Sequence, residues 1–170
     1  MILEANTKDI PELIKVVNDA YRGEESKKGW TSPAYFVGGD IRIDEQAMMK
    51  MFQNSTAVVL KYVEDEKIVG CVYLEKQGVD LYLGMLSVLP DLQGKNIGNK
   101  LLVAAEEYAS QNKMENIVIN VITKQGKLID WYERHGYTMT SEAKPYPEDG
   151  KFGKPLEKLV FAVLKKKLSN

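Results

Sequence analysis

The feature of the sequence that most constrains its fold is an apolar stretch that leads into a polar turn and then into a long amphipathic helix. Residues 83 to 102 read LGMLSVLPDLQGKNIGNKLL, and the apolar part ends at Pro90. A strand that ends at a glycine-containing turn and opens a helix presents free backbone N–H groups at the positive end of the helix dipole. Such a turn is suited to bind phosphate groups.

Other phosphate-binding loops match this stretch less well. A Walker A loop requires G-x-x-x-x-G-K-[ST], and counting from Gly94 puts Asn99 where the second glycine should stand. The dinucleotide-binding pattern G-x-G-x-x-G is missing as well. On this stretch alone, an ordinary strand–turn–helix connection without a ligand stays open.

The composition excludes several classes of function. The formal net charge of -1 gives no reason to expect a nucleic-acid partner. One cysteine and one histidine cannot form a disulfide framework or a Cys/His metal cluster, so we expect no metal site. No apolar run approaches the roughly 20 residues of a membrane span, and acidic residues stand where a signal peptide would have its apolar core. We therefore expect a single soluble, cytoplasmic domain over residues 1 to 170, without membrane contact.

Sequence periodicity predicts an α/β fold in which a mixed, mostly antiparallel sheet of about seven strands is flanked by about four helices. The predicted strands span residues 2–5, 57–64, 67–76, 79–88, 116–122, 137–141 and 156–164, and the predicted helices follow Thr7 or Asp9, follow Asp44, and span 97–111 and 126–134. Short links favour antiparallel neighbours between residues 57 and 88. The nearly continuous apolar run at 116–122 favours a parallel crossover beside the 79–88 strand.

Two motifs in this order resemble those of the GNAT superfamily of N-acetyltransferases, in its small bacterial type. The first, V-x-P-x-x-[QR]-G-x-G-x-G/A, is matched by VLPDLQGKNIG at residues 88 to 98, with Asn96 in place of the second glycine. The second, N-x-x-A-x-x-[LF]-Y-E-K-x-G-[FY], is matched by QGKLIDWYERHGY at residues 125 to 137. There Gln125 and Leu128 replace the family's Asn and Ala. The resemblance implies the acyl-CoA N-acyltransferase fold, with a splayed pair of parallel strands at its centre.

The resemblance also implies that the chain binds acetyl-coenzyme A (acetyl-CoA) and releases coenzyme A. The family holds the cofactor's diphosphate on the turn before the long helix, which here comprises Gln93, Gly94, Lys95, Asn96, Ile97, Gly98 and Asn99. Leu86, Ser87 and Val88 would pair with the pantetheine arm, and a β-bulge there would separate this strand from residues 116–122. The second motif would add contacts from Gln125, Leu128 and Tyr132.

In this family the amine attacks the thioester directly and a tetrahedral intermediate forms. The resemblance implies that the Val88 N–H stabilises the oxyanion and that Tyr132 protonates the departing thiolate as a general acid. Position alone would favour a packing role for the Tyr132 ring. Many members carry a glutamate as general base shortly before the end of the central strand, but Gly84 stands at that place.

The general base is therefore open among Glu24, Glu25, Glu75 and a chain of water molecules. His135 lies just before Gly136 at a predicted helix end, where a structural role is expected. Cys71 alternates within a predicted strand and is interpreted as a small core residue.

Residues 22 to 43 are too long and irregular for a plain connector, and we interpret them as a binding loop. The candidate residues for the wall of the acceptor site are Tyr21, Trp30, Tyr35, Phe36 and Arg42. The aromatic rings would hold a cationic amine, and Arg42 would bind a carboxylate. Alternatively, these aromatic residues close a small core under the loop.

The leading interpretation is N-acetylation of a primary amine on a small molecule, an amino acid or a peptide. Two alternatives stay open: transfer of another acyl group such as succinyl, and a non-catalytic module that only binds acyl-CoA. The sequence does not fix the acceptor or the oligomeric state, and a homodimer stays open.

Overall fold

A computed structural model describes residues 1–147, 149–151 and 153–168 of the chain. The strands are β1 (Ile2–Glu4), β2 (Val37–Gly38), β3 (Ala57–Glu64), β4 (Lys67–Gln77), β5 (Asp80–Val88), β6 (Asn116–Ile122), β7 (Thr138–Pro145), β8 (Lys154–Pro155) and β9 (Val160–Lys167). The α-helices are α1 (Ile10–Tyr21), α2 (Gly23–Ser26), α3 (Glu45–Gln53), α4 (Ile97–Gln111) and α5 (Gly126–Arg134). In this part of the chain, no helix is long and apolar enough to cross a membrane.

The main sheet has seven strands in the order β1-β3-β4-β5-β6-β9-β7. Only the β5–β6 pair is parallel, and the other neighbours run antiparallel. This confirms the predicted mixed, mostly antiparallel sheet with one parallel crossover. A second, two-stranded sheet pairs β2 with β8 and ties the loop after α1 to the loop before β9.

Hydrophobic side chains are buried on both faces of the sheet, because successive residues of each strand point to opposite sides. Leu81 and Leu83 pack with Leu101 of α4 on one face. Met85 packs with Leu13 of α1 and Met48 of α3 on the other. Burial of each such side chain contributes about 1.5–3 kcal/mol. On β6, Ile117, Ile119 and Val121 are buried in the core while the residues between them are half-buried, so most of this strand contributes one face to the core.

The bounds of two predicted strands are wrong, and the cap of α1 is as predicted only in its position. Asp9 is the N-cap residue of α1, but its side chain makes no capping bond. Instead, Asn6 caps a short 3-10 turn: its Oδ1 accepts from Lys8 N–H at 2.9 Å and its own N–H donates to Asp9 Oδ2 at 2.9 Å. The last two large strands are β7, which extends to Pro145, and β9, which begins at Val160. β9 lies between β6 and β7, and its pairing with both sets its length.

The two central strands diverge, as predicted. β5 pairs with β6 from Asp80 to Tyr82 only. Beyond that point β5 has one more residue than β4, because Tyr73 pairs with Gly84 and Cys71 pairs with Ser87. A β-bulge of this kind bends its strand. Met85 lies in the bulge with a left-handed φ of 57°, so β5 turns away from β6 and leaves an opening between them.

Candidate active site

The opening between β5 and β6 leads to two adjoining cavities. The larger cavity, of about 620 Å³, extends to the N-terminus of α4 and is called the groove. The smaller cavity, of about 290 Å³, lies below the loops that join β7 to β9 and is called the pocket. The residues that line both cavities are Tyr21, Pro33, Leu86, Gln125, Leu128 and Tyr132. These residues mark the junction at which two ligands can meet.

The N-terminus of α4 forms one end of the groove. Asn96 precedes the helix with a left-handed φ of 67° and makes no side-chain capping bond. Gly94 has a φ of 87°, a conformation that favours glycine. Gly94, Asn96, Ile97, Gly98 and Asn99 all line the groove, so the uncapped amides of the first turn of α4 lie beside it. Asn96 thus adopts the left-handed conformation that is expected at the position of the second glycine in the family's motif.

Gly98 and Lys95 differ in their relation to the groove. A Cβ atom at Gly98 would lie 3.4 Å from the Trp131 ring, so the small residue lets α4 approach α5 closely. Lys95 is exposed and does not line the groove, because the turn leaves its side chain on the outer surface. The predicted contact of Lys95 with the diphosphate is therefore not supported by its position.

The end of β5 presents backbone groups to the cleft. Leu89 N–H donates to Val69 O of β4 at 2.9 Å, and because the ladder alternates, the backbone groups of Val88 face away from β4. Val88 O accepts from Gln93 Nε2 at 3.2 Å, and Leu86 O accepts from the Tyr21 hydroxyl at 2.6 Å. Both acceptors are carbonyl groups at which a ligand amide can pair.

Ser87 does not line either cavity. Its side chain is buried on the other side of the strand, where its hydroxyl donates to Met85 O at 3.0 Å. The alternation of the strand accounts for this position, since Leu86 and Val88 line the groove and the residue between them faces away.

The side chain of Gln93 joins the binding loop to the end of β5. Its Oε1 accepts from Trp30 N–H at 3.0 Å while its Nε2 donates to Val88 O. A Cβ atom at Gly29 would lie 2.2 Å from Gln93 Oε1, so only glycine leaves room for this contact. Trp30 consequently lines the groove and not the pocket.

We expect Gly29→Ala to weaken acetyl-CoA binding several-fold while the fold persists. The new methyl group displaces the Gln93 side chain, which breaks two hydrogen bonds that contribute about 0.5–1.5 kcal/mol each. The affinity is measured by titration calorimetry and the stability by thermal denaturation. Gly126→Ala is the matched control, because a Cβ atom there meets nothing within 4 Å. Equal cofactor affinity of the Gly29 variant and the wild type would contradict this role of Gln93.

Tyr132 is a buried residue of α5, with 5% of its surface exposed. Its ring packs edge-to-face on the Tyr137 ring, with 5.6 Å between centroids. Within the described residues, its hydroxyl makes no hydrogen bond, so it is available to a ligand at the junction. Burial, and to a lesser degree the neighbouring Tyr21, raises the pKa of Tyr132 well above its ordinary value. The phenol therefore keeps its proton at physiological pH.

The pocket contains two arginine side chains. The guanidinium of Arg22 is buried and donates to Tyr146 Oη at 3.0 Å and to Tyr21 O at 3.0 Å, which fixes the loop above the pocket. The guanidinium of Arg42 lies over the Tyr21 ring, 5.4 Å from its centroid, and forms no ion pair with the described residues. Arg42 is thus the cation that can receive an anionic ligand group.

Two of the five predicted acceptor residues, Tyr21 and Arg42, line the pocket. Tyr35 is exposed and lies below the Lys27 ammonium at 5.0 Å. Phe36 packs in a small core with Ile122 and others, as the alternative interpretation of the loop aromatics proposed. The pairing of β2 with β8 places this part of the loop behind the pocket wall, where a Cβ atom at the lining residue Gly153 would lie 2.7 Å from Val37 Cγ1.

None of the three glutamates considered as general base lines either cavity. Glu24 and Glu25 form ion pairs with Lys27 and Lys28 at the surface. Glu75 accepts from the Tyr73 hydroxyl at 2.5 Å, and hydrogen bonds to its carboxylate lower its pKa. Among the described residues that line the pocket, the single carboxylate belongs to Asp149.

Cys71 and His135, which were interpreted as structural residues, both have surroundings that fit a structural role. Cys71 is fully buried, and burial raises the pKa of its thiol to about 12, which makes it a poor nucleophile. His135 lines the groove, and its Nδ1 lies 2.7 Å from Trp131 O one turn earlier in α5.

Sequence reasoning did not single out five polar residues of the pocket: Arg22, Tyr82, Asn120, Tyr146 and Asp149. Tyr82 and Asn120 could have been found from the alternation of β5 and β6, since both lie on the strands predicted to diverge. Arg22 directly follows Tyr21, which was a candidate. For Tyr146, which follows β7, the sequence offers no comparable signal.

Comparison with known proteins gives these features a family context. Residues 37–152 match the acetyltransferase (GNAT) domain family. The chain is similar to S-alkylcysteine N-acetyltransferase of Bacillus subtilis (strain 168), with 24% identity over 168 residues that cover 92% of this chain and 87% of that protein.

The fold is similar to solved structures of acetyltransferases. The ribosomal-protein-S18-alanine N-acetyltransferase from Escherichia coli gives a TM-score of 0.74 at 14% identity, covering 100% of this chain and 94% of that chain. The PaiA N-acetyltransferase from Thermoplasma acidophilum, solved in complex with coenzyme A, gives a TM-score of 0.71 at 17% identity, covering 99% and 98%. At 14% and 17% sequence identity, these two comparisons show a similarity of fold.

Proposed function

The chain belongs to the GNAT acetyltransferase family, and we propose that it transfers the acetyl group of acetyl-CoA to the α-amine of a small amino acid. The observation that carries this proposal is the pair of cavities that meet at Tyr132 and Leu86. One cavity has the backbone groups that coenzyme A requires. The other is small and contains the Arg42 guanidinium.

The groove fits coenzyme A in its donor groups and its extent. The amides from Gly94 to Asn99 would hold the diphosphate at the helix N-terminus. The carbonyl groups of Leu86 and Val88 would pair with the amides of the pantetheine arm. The separation of β5 and β6 admits that arm between them. When bound, the cofactor supplies an acetyl thioester, and the residues at the junction act on it.

Three features support an amino acid as the acceptor. The pocket, at about 290 Å³, has the size of a site for a small molecule. The Arg42 guanidinium is suited to bind a carboxylate. The curated relative is named for acetylation of S-alkylcysteine, which is an amino acid with an apolar side chain. Phe161 and Pro147 give the pocket an apolar side that suits such a side chain.

An α-amine also suits a pocket whose described lining residues offer few groups that could act as a general base. The α-amine is less basic than a lysine side chain, whose ordinary pKa is about 10.4, so a larger fraction of it is neutral near physiological pH. With acetyl-CoA bound, the attacking amine would lose its proton to water, and the Tyr132 hydroxyl would donate a proton to the departing sulfur and regain one from solvent. The Val88 N–H is suited to stabilise negative charge on the acetyl oxygen.

The experiment that tests the proposal follows thiol release from acetyl-CoA with three probes. S-methylcysteine carries an amine and a carboxylate, S-methylcysteamine lacks the carboxylate, and methylthiopropionate lacks the amine. We expect kcat/KM for S-methylcysteine to exceed that for S-methylcysteamine by about tenfold or more, as one charged hydrogen-bonded contact provides. Mass spectrometry should identify the N-acetylated product.

Methylthiopropionate is the negative control and should not accelerate thiol release. Equal kcat/KM for the two amines would contradict the amino-acid acceptor. If no amine accelerates release while acetyl-CoA still binds, the proposal of catalysis itself is wrong and the non-catalytic alternative stands. Faster turnover with succinyl-CoA than with acetyl-CoA would reassign the acyl group.

A further inference from the structure

The amide of Asn120 is an unexplained polar group at the wall of the pocket. Its Oδ1 is inaccessible to solvent and has no hydrogen-bond partner among the described residues. Buried polar side-chain atoms are normally paired, so such an atom calls for a partner that is absent from the free protein. No hydrogen bond to the oxygen holds the amide in place within the described residues, and χ2 of asparagine is a broad torsion, so the amide can turn when a ligand binds.

The place of Asn120 in the sheet relates it to Tyr82. Tyr82 pairs with Val118 in the last step at which β5 and β6 are joined. Asn120 is two residues further along β6, so it lies on the same face of the sheet as Tyr82. Both residues line the pocket. They therefore flank the point at which the strands begin to separate.

Gly84 gives the Tyr82 ring its position. A Cβ atom at Gly84 would lie 2.8 Å from the Tyr82 hydroxyl oxygen, so the phenol occupies the space of the missing side chain. The ring packs edge-to-face on the Tyr73 ring, with 6.4 Å between centroids. Within the described residues, the Tyr82 hydroxyl makes no hydrogen bond. The Tyr82 hydroxyl is thus a second polar group of the pocket that is available to a ligand.

We propose that Asn120 Oδ1 and the Tyr82 hydroxyl bind the N–H groups of the acceptor amine, and we call these two residues the amine seat. The inference rests on the proposed function and adds the residues that orient the amine. An amide oxygen and a phenol oxygen both accept hydrogen bonds, whereas a guanidinium only donates them. The pocket therefore separates acceptors, which match an amine, from Arg42, which matches a carboxylate.

The amine seat acts by orientation. A neutral amine has two N–H groups and one lone pair. When both N–H groups are bound by Asn120 and Tyr82, the lone pair is free to face the junction with the groove. Asn120 has no titratable proton, so it holds the amine without removing a proton from it. An orienting residue of this kind affects acceptor binding and turnover but not cofactor binding.

The test compares the binding of S-methylcysteine and methylthiopropionate to the complex with coenzyme A, by calorimetry. In the wild type, the amine should make S-methylcysteine the tighter ligand by about tenfold. Asn120→Leu should reduce this difference several-fold while it leaves the affinities for methylthiopropionate and coenzyme A unchanged. Asn116→Leu, a matched loss of asparagine at the other end of β6, should preserve the difference.

Two further variants keep the test decisive if Asn120→Leu does not fold. Asn120→Asp places a carboxylate at the same position, so the variant should bind the ammonium form and shift the acid limb of the kcat/KM profile to lower pH. Tyr82→Phe should reduce the preference for the amine-bearing probe several-fold without a change in coenzyme A affinity. An unchanged preference in Tyr82→Phe and an unchanged pH profile in Asn120→Asp would overturn the amine seat.

Failure of the amino-acid proposal can be distinguished from failure of the amine seat. If S-methylcysteamine proves as good an acceptor as S-methylcysteine, the carboxylate contact is wrong. The amine seat then still predicts a drop of about tenfold in kcat/KM for S-methylcysteamine in Asn120→Leu. An undiminished value in the folded variant would overturn the seat independently of Arg42.

Discussion

Tyr132→Phe should lower kcat by on the order of 10²-fold or more, the usual contribution of a general acid, while coenzyme A affinity stays close to that of the wild type. The phenol is available at the junction of the two cavities, and its burial keeps it protonated. The variant retains the ring that packs on Tyr137, so the loss is confined to the hydroxyl. Steady-state kinetics and calorimetry on the same preparation separate turnover from binding.

The pH dependence provides a second measurement of the same role. Because burial raises the pKa of Tyr132, the acid form of the phenol persists as the pH rises through physiological values. The wild-type kcat should therefore show no alkaline decline from this group below about pH 10, its ordinary pKa. Tyr137→Phe is the control, since it removes a buried hydroxyl of the adjacent aromatic ring outside both cavities. Equal turnover of Tyr132→Phe and the wild type would exclude Tyr132 as the acid.

Arg42→Ala should raise KM for S-methylcysteine by roughly 10- to 100-fold, because a hydrogen-bonded contact to a charged group contributes about 1.5–3 kcal/mol. The guanidinium lines the pocket and forms no ion pair with the described residues, so the acceptor carboxylate is its proposed partner. KM for acetyl-CoA should stay unchanged. S-methylcysteamine, which has no carboxylate, should show little change in KM.

Two controls distinguish charge from packing at this position. Arg42→Lys keeps the cation and should recover part of the affinity, although it loses the bidentate geometry of the guanidinium. Lys27→Ala removes another cation that lies over a tyrosine ring, that of Tyr35, outside both cavities, and should leave KM unchanged. A similar rise in KM for both amine probes in Arg42→Ala would assign Arg42 to the support of Tyr21 and not to the carboxylate.

Features set by neighbouring residues were predicted well from the sequence. The bounds of α4 and α5 agree with the prediction, because apolar spacing and Gly136 after α5 act within a few turns. The hairpin between β3 and β4 turns at Asp65 and Glu66, whose φ values of 50° and 65° are those of a tight turn. The cofactor groove follows from these local elements, since its backbone amides belong to one continuous strand–turn–helix segment.

The sequence by itself therefore determined the order of the seven strands of the main sheet and of the helices other than α2, the turn before α4 and the position of Tyr132. Only the tertiary structure decided the acceptor pocket. Arg42 of the loop lies far in the chain from Tyr82 of β5 and Asn120 of β6, and no local periodicity relates it to these two strand residues. Their meeting depends on the bulge that separates β5 from β6 and on the contact between β2 and β8. These are long-range pairings, whose free energy comes from packing and hydrogen bonds formed only in the folded chain.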